Sequence, residues 1–182
     1  MAKVLIMLAD GFEEIEGLAV VDLLRRARID IETVSIMETN TVMCKHNIEL
    51  KADKTFNEAD FSGADMIVLP GGIPGATNLE NYKPLIEKLI EFNNKGKKLA
   101  AICAAPYILG INHILEGKEA TCYPGFEDKL LGAKALTDKV VVSKNVITSR
   151  GMGTAIDFGL AIIETYLGKE KAKEIADSVM YY

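Results

Sequence analysis

Short, continuous apolar runs alternate along this chain with longer segments that have the periodicity of a helix. The clearest runs are residues 4–8, 66–69 and 99–102, and each ends at small, polar or turn-forming residues. A strand that is apolar on both faces needs cover on both sides, which is typical of a parallel sheet. The alternation therefore predicts right-handed βαβ units and an α/β fold with a doubly wound, mostly parallel sheet.

The remaining elements follow from the same patterns. Segment 37–55 is polar and lacks a helical period, and we expect a small hairpin within it. The chain has 182 residues without a linker or repeat, so we expect one domain over residues 1–182. Predicted strands cover residues 4–8, 31–36, 66–69, 99–102, 140–142 and 146–148, and predicted helices cover 13–26, 85–94, 104–115, 154–167 and 169–178.

Composition and charge narrow the functional class. A net charge of -5 disfavours nucleic-acid binding, because phosphates attract clustered positive charge. Three cysteines are an odd number, which argues against a disulfide framework and indicates a reducing compartment. No apolar stretch approaches the roughly 20 residues of a spanning helix. We therefore expect a cytoplasmic protein with neither a membrane nor a sequence-specific nucleic-acid partner.

Ligands of doubly wound sheets bind beyond the carboxyl ends of the strands. Cys103 stands at such an end and precedes Ala104, as in a nucleophile elbow, where a sharp turn exposes a reactive side chain. The N-terminus of the helix beyond it would lower the pKa of the thiol. The alternative is a small buried cysteine in the core, with no chemical role.

Two other segments could serve such a thiol. Backbone N–H groups from Pro70-Gly71-Gly72 and from Ala104 could form an oxyanion hole, although a tight turn by itself also explains the glycines. Glu16 lies in an apolar helix, where burial would keep its carboxyl protonated and able to donate a hydrogen bond to a thiolate. Acids are also common at helix starts because of the helix dipole alone.

The two histidines do not indicate a metal site. His46 stands near Cys44 and His113 stands apart, whereas zinc takes four ligands. We therefore expect no bound metal, and we expect Cys44 and Cys122 to be bystanders.

The predicted first helix is apolar on most of its sides. Its apolar residues include Ile15, Leu18, Val20 and Leu24, which leave only a narrow polar arc. Either neighbouring elements of the same chain cover every side, or one side meets the sheet and another meets a second subunit. On the second interpretation, Val20 lies on an outward face in a homodimer.

Together these motifs resemble the ThiJ/PfpI superfamily, in the branch that contains the parkinsonism-associated protein DJ-1 and its bacterial YajL-like relatives. The similarity extends over residues 3–176. It is carried, in the order of the family, by ADGFEEIE at residues 9–16, VLPGG at 68–72, AICAAP at 101–106 and TSRGMGT at 148–154.

The resemblance implies a flavodoxin-like three-layer αβα sandwich and a homodimer built partly on the first helix. It implies that Cys103 is the reactive, oxidisable thiol and that Glu16 is its protonated hydrogen-bond partner. Gly72 and Ala104 then supply backbone N–H groups to the site.

The resemblance also extends to the rim of the pocket. Arg26 and His46 match positions that approach the reactive cysteine from the partner subunit. Family members with a histidine beside the cysteine have it at the position of Tyr123, which is therefore a further pocket residue. Ala104 replaces the histidine that follows the cysteine in PfpI-type peptidases, so a cysteine peptidase is disfavoured.

The activities of the family imply two alternative functions for this chain. One is a glyoxalase- or deglycase-type enzyme in which the Cys103 thiolate attacks small aldehydes or glycated substrates, without a cofactor. The other is an oxidative-stress sensor or redox-regulated chaperone in which Cys103 is oxidised.

Overall fold

The computed structural model describes residues 2–182 and contains eleven strands and six α-helices. The strands are β1 (Lys3–Leu8), β2 (Asp30–Ser35), β3 (Thr41–Met43), β4 (Glu49–Lys51), β5 (Lys54–Thr55), β6 (Met66–Leu69), β7 (Lys98–Ile102), β8 (Glu119–Ala120), β9 (Lys134–Ala135), β10 (Val140–Ser143) and β11 (Val146–Ser149). The helices are α1 (Glu14–Arg26), α2 (Gly75–Asn81), α3 (Lys83–Asn94), α4 (Pro106–Ile111), α5 (Ala155–Leu167) and α6 (Lys169–Ser178).

Seven of the strands form one sheet in the order β10-β11-β7-β6-β1-β2-β5. Every neighbouring pair in it is parallel except β10 and β11, which form an antiparallel hairpin at one edge. The predicted α/β fold with a mostly parallel sheet between helices is therefore confirmed.

Alternating side chains of the central strands fill two separate cores. In β1, Leu5 and Met7 belong to the core on one face of the sheet, and Val4 and Ile6 belong to the core on the other. The first core includes residues of α2, α3 and α4, and the second includes residues of α1, α5 and α6. This double cover explains why the strands are continuously apolar.

The observed secondary structure differs from the prediction mainly at short helices and strands. The hairpin expected in segment 37–55 is the β3–β4 pair, and β5 follows it to join the edge of the main sheet. Helix α4 is shorter than predicted, because it begins at a proline and ends at Ile111. Helix α2 has the mostly polar sequence GATNLEN, and its apolar period is too short to be recognised.

Helix α1 is covered on most sides by its own chain. Val20 is 0 % exposed and belongs to the core shared with α5, so the expectation that it faces outward is wrong. Close packing accounts for this, since a Cβ on Gly159 of α5 would lie 2.7 Å from Leu23 Cδ1. The apolar side chains that α1 leaves exposed are Ile15 and Leu18, at 51 % and 36 %.

The helices offer no transmembrane segment. Within residues 2–182, none is both long enough and apolar enough to cross a membrane.

Candidate active site

Cys103 occupies a strained turn at the carboxyl end of β7. Its φ is 65°, in the left-handed region, where a non-glycine residue costs of order 1–3 kcal/mol. Two backbone hydrogen bonds hold the turn: the Cys103 N–H donates to the Ser149 carbonyl at 3.0 Å, and the Cys103 carbonyl accepts from the Tyr123 N–H at 2.7 Å. The surrounding backbone thus maintains the geometry of a nucleophile elbow.

Two backbone N–H groups reach the Cys103 side chain. They belong to Gly72, in the loop after β6, and to Ala104, the next residue in the chain, and both lower the pKa of the thiol. The helix expected to supply such donors does not do so. Helix α4 begins at Pro106, which has no N–H, and the Ala105 N–H bonds to the Ile102 carbonyl at 3.1 Å.

Glu16 provides the acidic partner of this thiol. It is 1 % exposed, its Oε2 accepts a hydrogen bond from the Gly71 N–H at 2.9 Å, and its carboxyl hydrogen-bonds the Cys103 side chain. Burial raises the pKa of Glu16 to about 7, against the opposing effects of those two hydrogen bonds. A carboxyl in this setting holds its proton far more firmly than a solvated one.

The two groups titrate as a pair. Burial, and after it the neighbouring Glu16 carboxylate, raise the pKa of the Cys103 thiol to about 12, so the lowered pKa expected from the sequence is wrong. Between these two values the pair carries one negative charge. Two N–H groups reach the partly exposed sulfur, and one reaches the buried carboxyl.

Glycines 71 and 72 permit this close arrangement. A Cβ on Gly71 would lie 2.6 Å from both Cys103 Cβ and Glu16 Oε2. Gly72 has a φ of 89°, and a Cβ there would lie 2.4 Å from the Glu13 nitrogen. The sequence predicts Gly71 only as part of a loop that could donate N–H groups to an oxyanion hole. Its N–H instead donates to Glu16, a contact that the sequence does not predict.

The loop after β6 also packs directly on the loop that precedes α1. The Glu13 N–H donates to the Gly71 carbonyl at 2.9 Å, and a Cβ on Gly75 would lie 2.5 Å from Phe12 Cα. Backbone therefore meets backbone at these two points along this side of the site.

A cavity of about 450 Å³ opens over Cys103, within the range of small-molecule sites. Gly72 of the tightly packed glycine loop lines it, and so do Tyr123 and Met152, both of which are about half exposed. A Cβ on Gly151 would lie 3.3 Å from the Tyr123 ring and 3.9 Å from Cys103 Sγ. The complete lining is Glu13, Glu16, Lys45, His46, Gly72, Ile73, Cys103, Ala104, Tyr123, Phe126 and Met152.

The structure assembles most, but not all, of the predicted site residues. His46 reaches the cavity within its own chain, from the turn between β3 and β4, rather than only from a partner subunit. Arg26 lies in the last turn of α1, where its Nε bonds Asp22 at 2.6 Å, and it does not line this cavity. Cys44 and Cys122 are buried and also do not line it.

A buried carboxylate accompanies His46. The Nδ1 atom of His46 lies 2.8 Å from Glu14 Oε1. Burial raises the pKa of Glu14, but hydrogen bonds from its own backbone and from His46 outweigh this effect and lower the pKa overall. Glu14 is therefore negatively charged at neutral pH, whereas Glu16, with a pKa of about 7, is only partly ionised there.

The structure has the features of proteins with a cysteine nucleophile elbow. These features are an α/β sheet, a strained cysteine at the end of a strand and a buried carboxyl beside that cysteine. The DJ-1/PfpI family model matches residues 2–165. The chain belongs to the DJ-1/PfpI family, which confirms the resemblance seen in the sequence.

Individual relatives support this assignment. Protein DJ-1 homolog B of Arabidopsis thaliana is 40% identical over 176 residues, which are 96% of this chain and 40% of that protein. The chain spans less than half the length of the plant DJ-1 homologs A and B. The glutathione-independent glyoxalase DJR-1.2 of Caenorhabditis elegans is 35% identical over 166 residues, covering 90% of this chain and 87% of the relative.

Similarity extends to solved structures. Oxidized DJ-1 of Toxoplasma gondii superposes with a TM-score of 0.95 at 36% sequence identity, over 100% of this chain and 99% of that chain.

Proposed function

We propose that this chain is a cysteine-dependent enzyme of the glyoxalase type, which converts small reactive aldehydes to hydroxy acids. The observation that carries the proposal is the Cys103 side chain, placed under a cavity between two N–H donors and a buried acid that titrates near neutral pH. The name of the nematode relative, which is 35% identical, supports the same class of reaction.

The first step is addition of the thiolate to the aldehyde. With methylglyoxal, Cys103 Sγ forms a bond to the aldehyde carbon, and the carbonyl π electrons move to the oxygen. The N–H groups of Gly72 and Ala104 stabilise the developing negative charge, and the proton of Glu16 neutralises it. The product is a hemithioacetal, and Glu16 is left as a carboxylate.

The second step moves one proton between neighbouring carbons. The Glu16 carboxylate removes the proton from the hemithioacetal carbon, which gives an enediolate, and returns it to the adjacent carbon. The hydroxyl proton on the first carbon passes to the oxygen of the second carbon, so that the first becomes a carbonyl and the second a hydroxyl. The result is a lactoyl thioester on Cys103. Water hydrolyses the sulfur–carbon bond and releases lactate, so the overall reaction adds one water to methylglyoxal and needs neither glutathione nor a redox partner. We extend the proposal to early glycation adducts, as in a deglycase: a hemiaminal releases its amine and so restores the free aldehyde, which then follows the same steps.

The decisive experiment measures methylglyoxal loss together with lactate formation. Cys103→Ser should reduce the rate to that of buffer, whereas Cys122→Ser, at a buried thiol outside the cavity, should retain the activity. Equal rates for wild type and Cys103→Ser would refute the proposal.

A second candidate function is redox sensing or a redox-regulated chaperone, favoured by the partial exposure of Cys103 and by the oxidized state of the Toxoplasma relative. A peroxide would transfer one oxygen to the thiolate, giving a sulfenic acid and hydroxide, and a second equivalent would give the sulfinic acid. Peptide mass spectrometry after limited peroxide treatment should show oxygen added at Cys103 before Cys44 or Cys122. If oxidation is selective but methylglyoxal is not consumed, sensing replaces catalysis.

A peptidase is not favoured. The imidazole that lines the cavity, His46, bonds Glu14 through Nδ1, and within residues 2–182 no hydrogen bond joins it to Cys103. His113 is exposed and pairs with Glu116 at 3.1 Å. A cysteine peptidase requires a histidine within hydrogen-bond reach of its thiol.

We also propose that the chain forms a homodimer through α1. Ile15 and Leu18 of α1 are exposed, and so are Met43 and Ile48 of the β3–β4 hairpin, whose backbone bonds to the loop before the helix. Exposed apolar patches of this kind are typical of protein interfaces. Such a dimer would bring a second Arg26 toward the cavity, as the family resemblance implies.

We propose that the protein acts in the cytoplasm. All three cysteines are free thiols, as expected in a reducing compartment.

A further inference from the structure

A second cluster of ionisable side chains lies at the rim of the Cys103 cavity. His46 Nδ1 is 2.8 Å from Glu14 Oε1 and 3.8 Å from Glu13 Oε1. One ligand atom from each of these three residues lies within 4.8 Å of the others. The proposed carbonyl chemistry uses none of the three.

Glu14 adds an independent observation. The residue is 5 % exposed, and its Oε2 is buried without a hydrogen-bond partner in the part of the chain that the structure describes. A buried carboxylate oxygen that is left unpaired is unfavourable, and a cation is the partner that satisfies it best.

We propose that Glu13, Glu14 and His46 bind one divalent transition-metal ion of the borderline class represented by Zn²⁺. Zinc binds both carboxylate oxygens and imidazole nitrogens, and its open sites have three protein ligands and a fourth position for water or substrate. Mg²⁺ and Ca²⁺ prefer oxygen ligands alone, so the imidazole selects against them. The exposed side of His46 leaves the site open to solvent.

The helix dipole does not account for this cluster. Acids at the start of α1 are stabilised by the positive end of the helix, but that effect requires neither an imidazole nor burial. His46 comes from a turn 32 residues further along the chain, and its Nδ1 meets the buried carboxylate directly. The sequence predicts no metal here because the three residues are adjacent only in the fold.

A positive side chain competes for the same ligands. Lys45 Nζ lies 3.6 Å from Glu13 Oε2, so a metal ion must displace part of this ion pair. Removing the Lys45 charge should therefore tighten metal binding, which a merely structural role for the cluster would not produce.

The test is titration of the metal-free protein with Zn²⁺ by calorimetry, with Co²⁺ absorption as a report of coordination. We expect one ion per chain, bound with similar affinity by wild type and by Cys103→Ser, which lacks the competing thiol. Glu14→Gln and His46→Gln should each weaken binding by at least about tenfold, and Lys45→Met should strengthen it. His113→Gln is the matched control, because His113 also pairs with a glutamate, Glu116, but outside the cluster.

Three results would overturn the proposal: no binding by the wild type, loss of binding in Cys103→Ser, or wild-type affinity in His46→Gln. His46 is exposed, so its substitution leaves the core intact even if Glu14→Gln proves unstable. Because no aldehyde is present in this titration, its failure would leave the proposed carbonyl activity untouched.

Discussion

The backbone N–H of Gly71 donates to Glu16 Oε2 at 2.9 Å, and this bond holds the carboxyl beside the Cys103 thiol. Gly71 is itself fixed, since its carbonyl accepts a hydrogen bond from the Glu13 N–H. The acid is therefore positioned by two neighbouring loops rather than by its own helix alone.

Replacing Gly71 with alanine should disrupt this arrangement. The new Cβ would lie 2.6 Å from both Cys103 Cβ and Glu16 Oε2, so the carboxyl and the sulfur must separate. We expect the rate of methylglyoxal consumption to fall at least about tenfold, as for other losses of catalytic positioning. Steady-state kinetics would check this.

The control for Gly71→Ala is Gly153→Ala, in a neighbouring loop, where an added Cβ meets no atom within 4 Å. It should leave the rate unchanged. A Gly71→Ala protein as active as this control would show that the contact between Gly71 and Glu16 has no functional importance.

Substituting Glu16 with leucine should raise the pH at which the Cys103 thiolate forms. In the proposed mechanism, the first proton that the pair loses, near the Glu16 pKa of about 7, comes from the thiol, because two N–H groups reach the sulfur while Glu16 keeps its own proton. The leucine variant loses a hydrogen bond to a charged group, worth roughly 1.5–3 kcal/mol, or about one to two pKa units. Thiolate absorbance, titrated with Cys44 and Cys122 replaced, measures the shift.

An unchanged or lower Cys103 pKa in Glu16→Leu would mean that Glu16 acts on the thiol only as a negative charge. In that case the thiolate absorbance of the wild type would also fail to appear near neutral pH.

The buried carboxyl should make folding stability depend on pH. The pKa of Glu16 rises from 4.5 to about 7 on folding, so between these values the folded state binds more protons than the unfolded state. The stabilising contribution is complete below pH 4.5 and is lost as the pH rises through about 7. This contribution to the free energy of unfolding is about 3 kcal/mol.

Urea unfolding at several pH values would detect this loss as a fall in the free energy of unfolding of the wild type. The Glu16→Leu variant has no ionisable group at position 16 and should lack this part of the pH dependence. The same slope in both proteins would assign the effect to another group.

A charge on the outer face of α1 should dissociate the proposed dimer. Leu18→Glu places a carboxylate among the apolar residues that the chain leaves exposed, where a partner would bury it without a counter-charge. Light scattering should show half the mass of the wild type. Leu131→Glu, at an exposed apolar residue away from α1, should not change the mass, and a monomeric wild type would contradict the proposal.

The sequence predicts the fold well because each central strand carries its own signal. The apolar runs that become β1, β6 and β7 are buried on both faces, and their pattern does not depend on distant residues. Short elements such as β8 and β9, with two residues each, carry no such signal and form only because they pair with each other.

Local motifs also predict the chemical centre, because Cys103 and Ala104 are adjacent in sequence and the elbow depends on strand and turn residues. The remainder of the site depends on contacts between distant segments. The close approach of Gly71 to Glu16 joins residues 55 positions apart, and the contact of His46 with Glu14 joins residues 32 apart. No periodicity or spacing in a single sequence encodes such distances.

The direct packing of the glycine loop on the loop before α1 limits how this protein can change its substrates. A side chain larger than hydrogen at Gly71, Gly72 or Gly75 would collide with its neighbours, and because Gly72 lines the cavity, this part of its wall cannot vary without displacing the two loops. Tyr123 and Met152 also line the cavity and are about half exposed. New specificities, whether selected in nature or in the laboratory, should therefore arise on the Tyr123 side while the glycine wall stays the same.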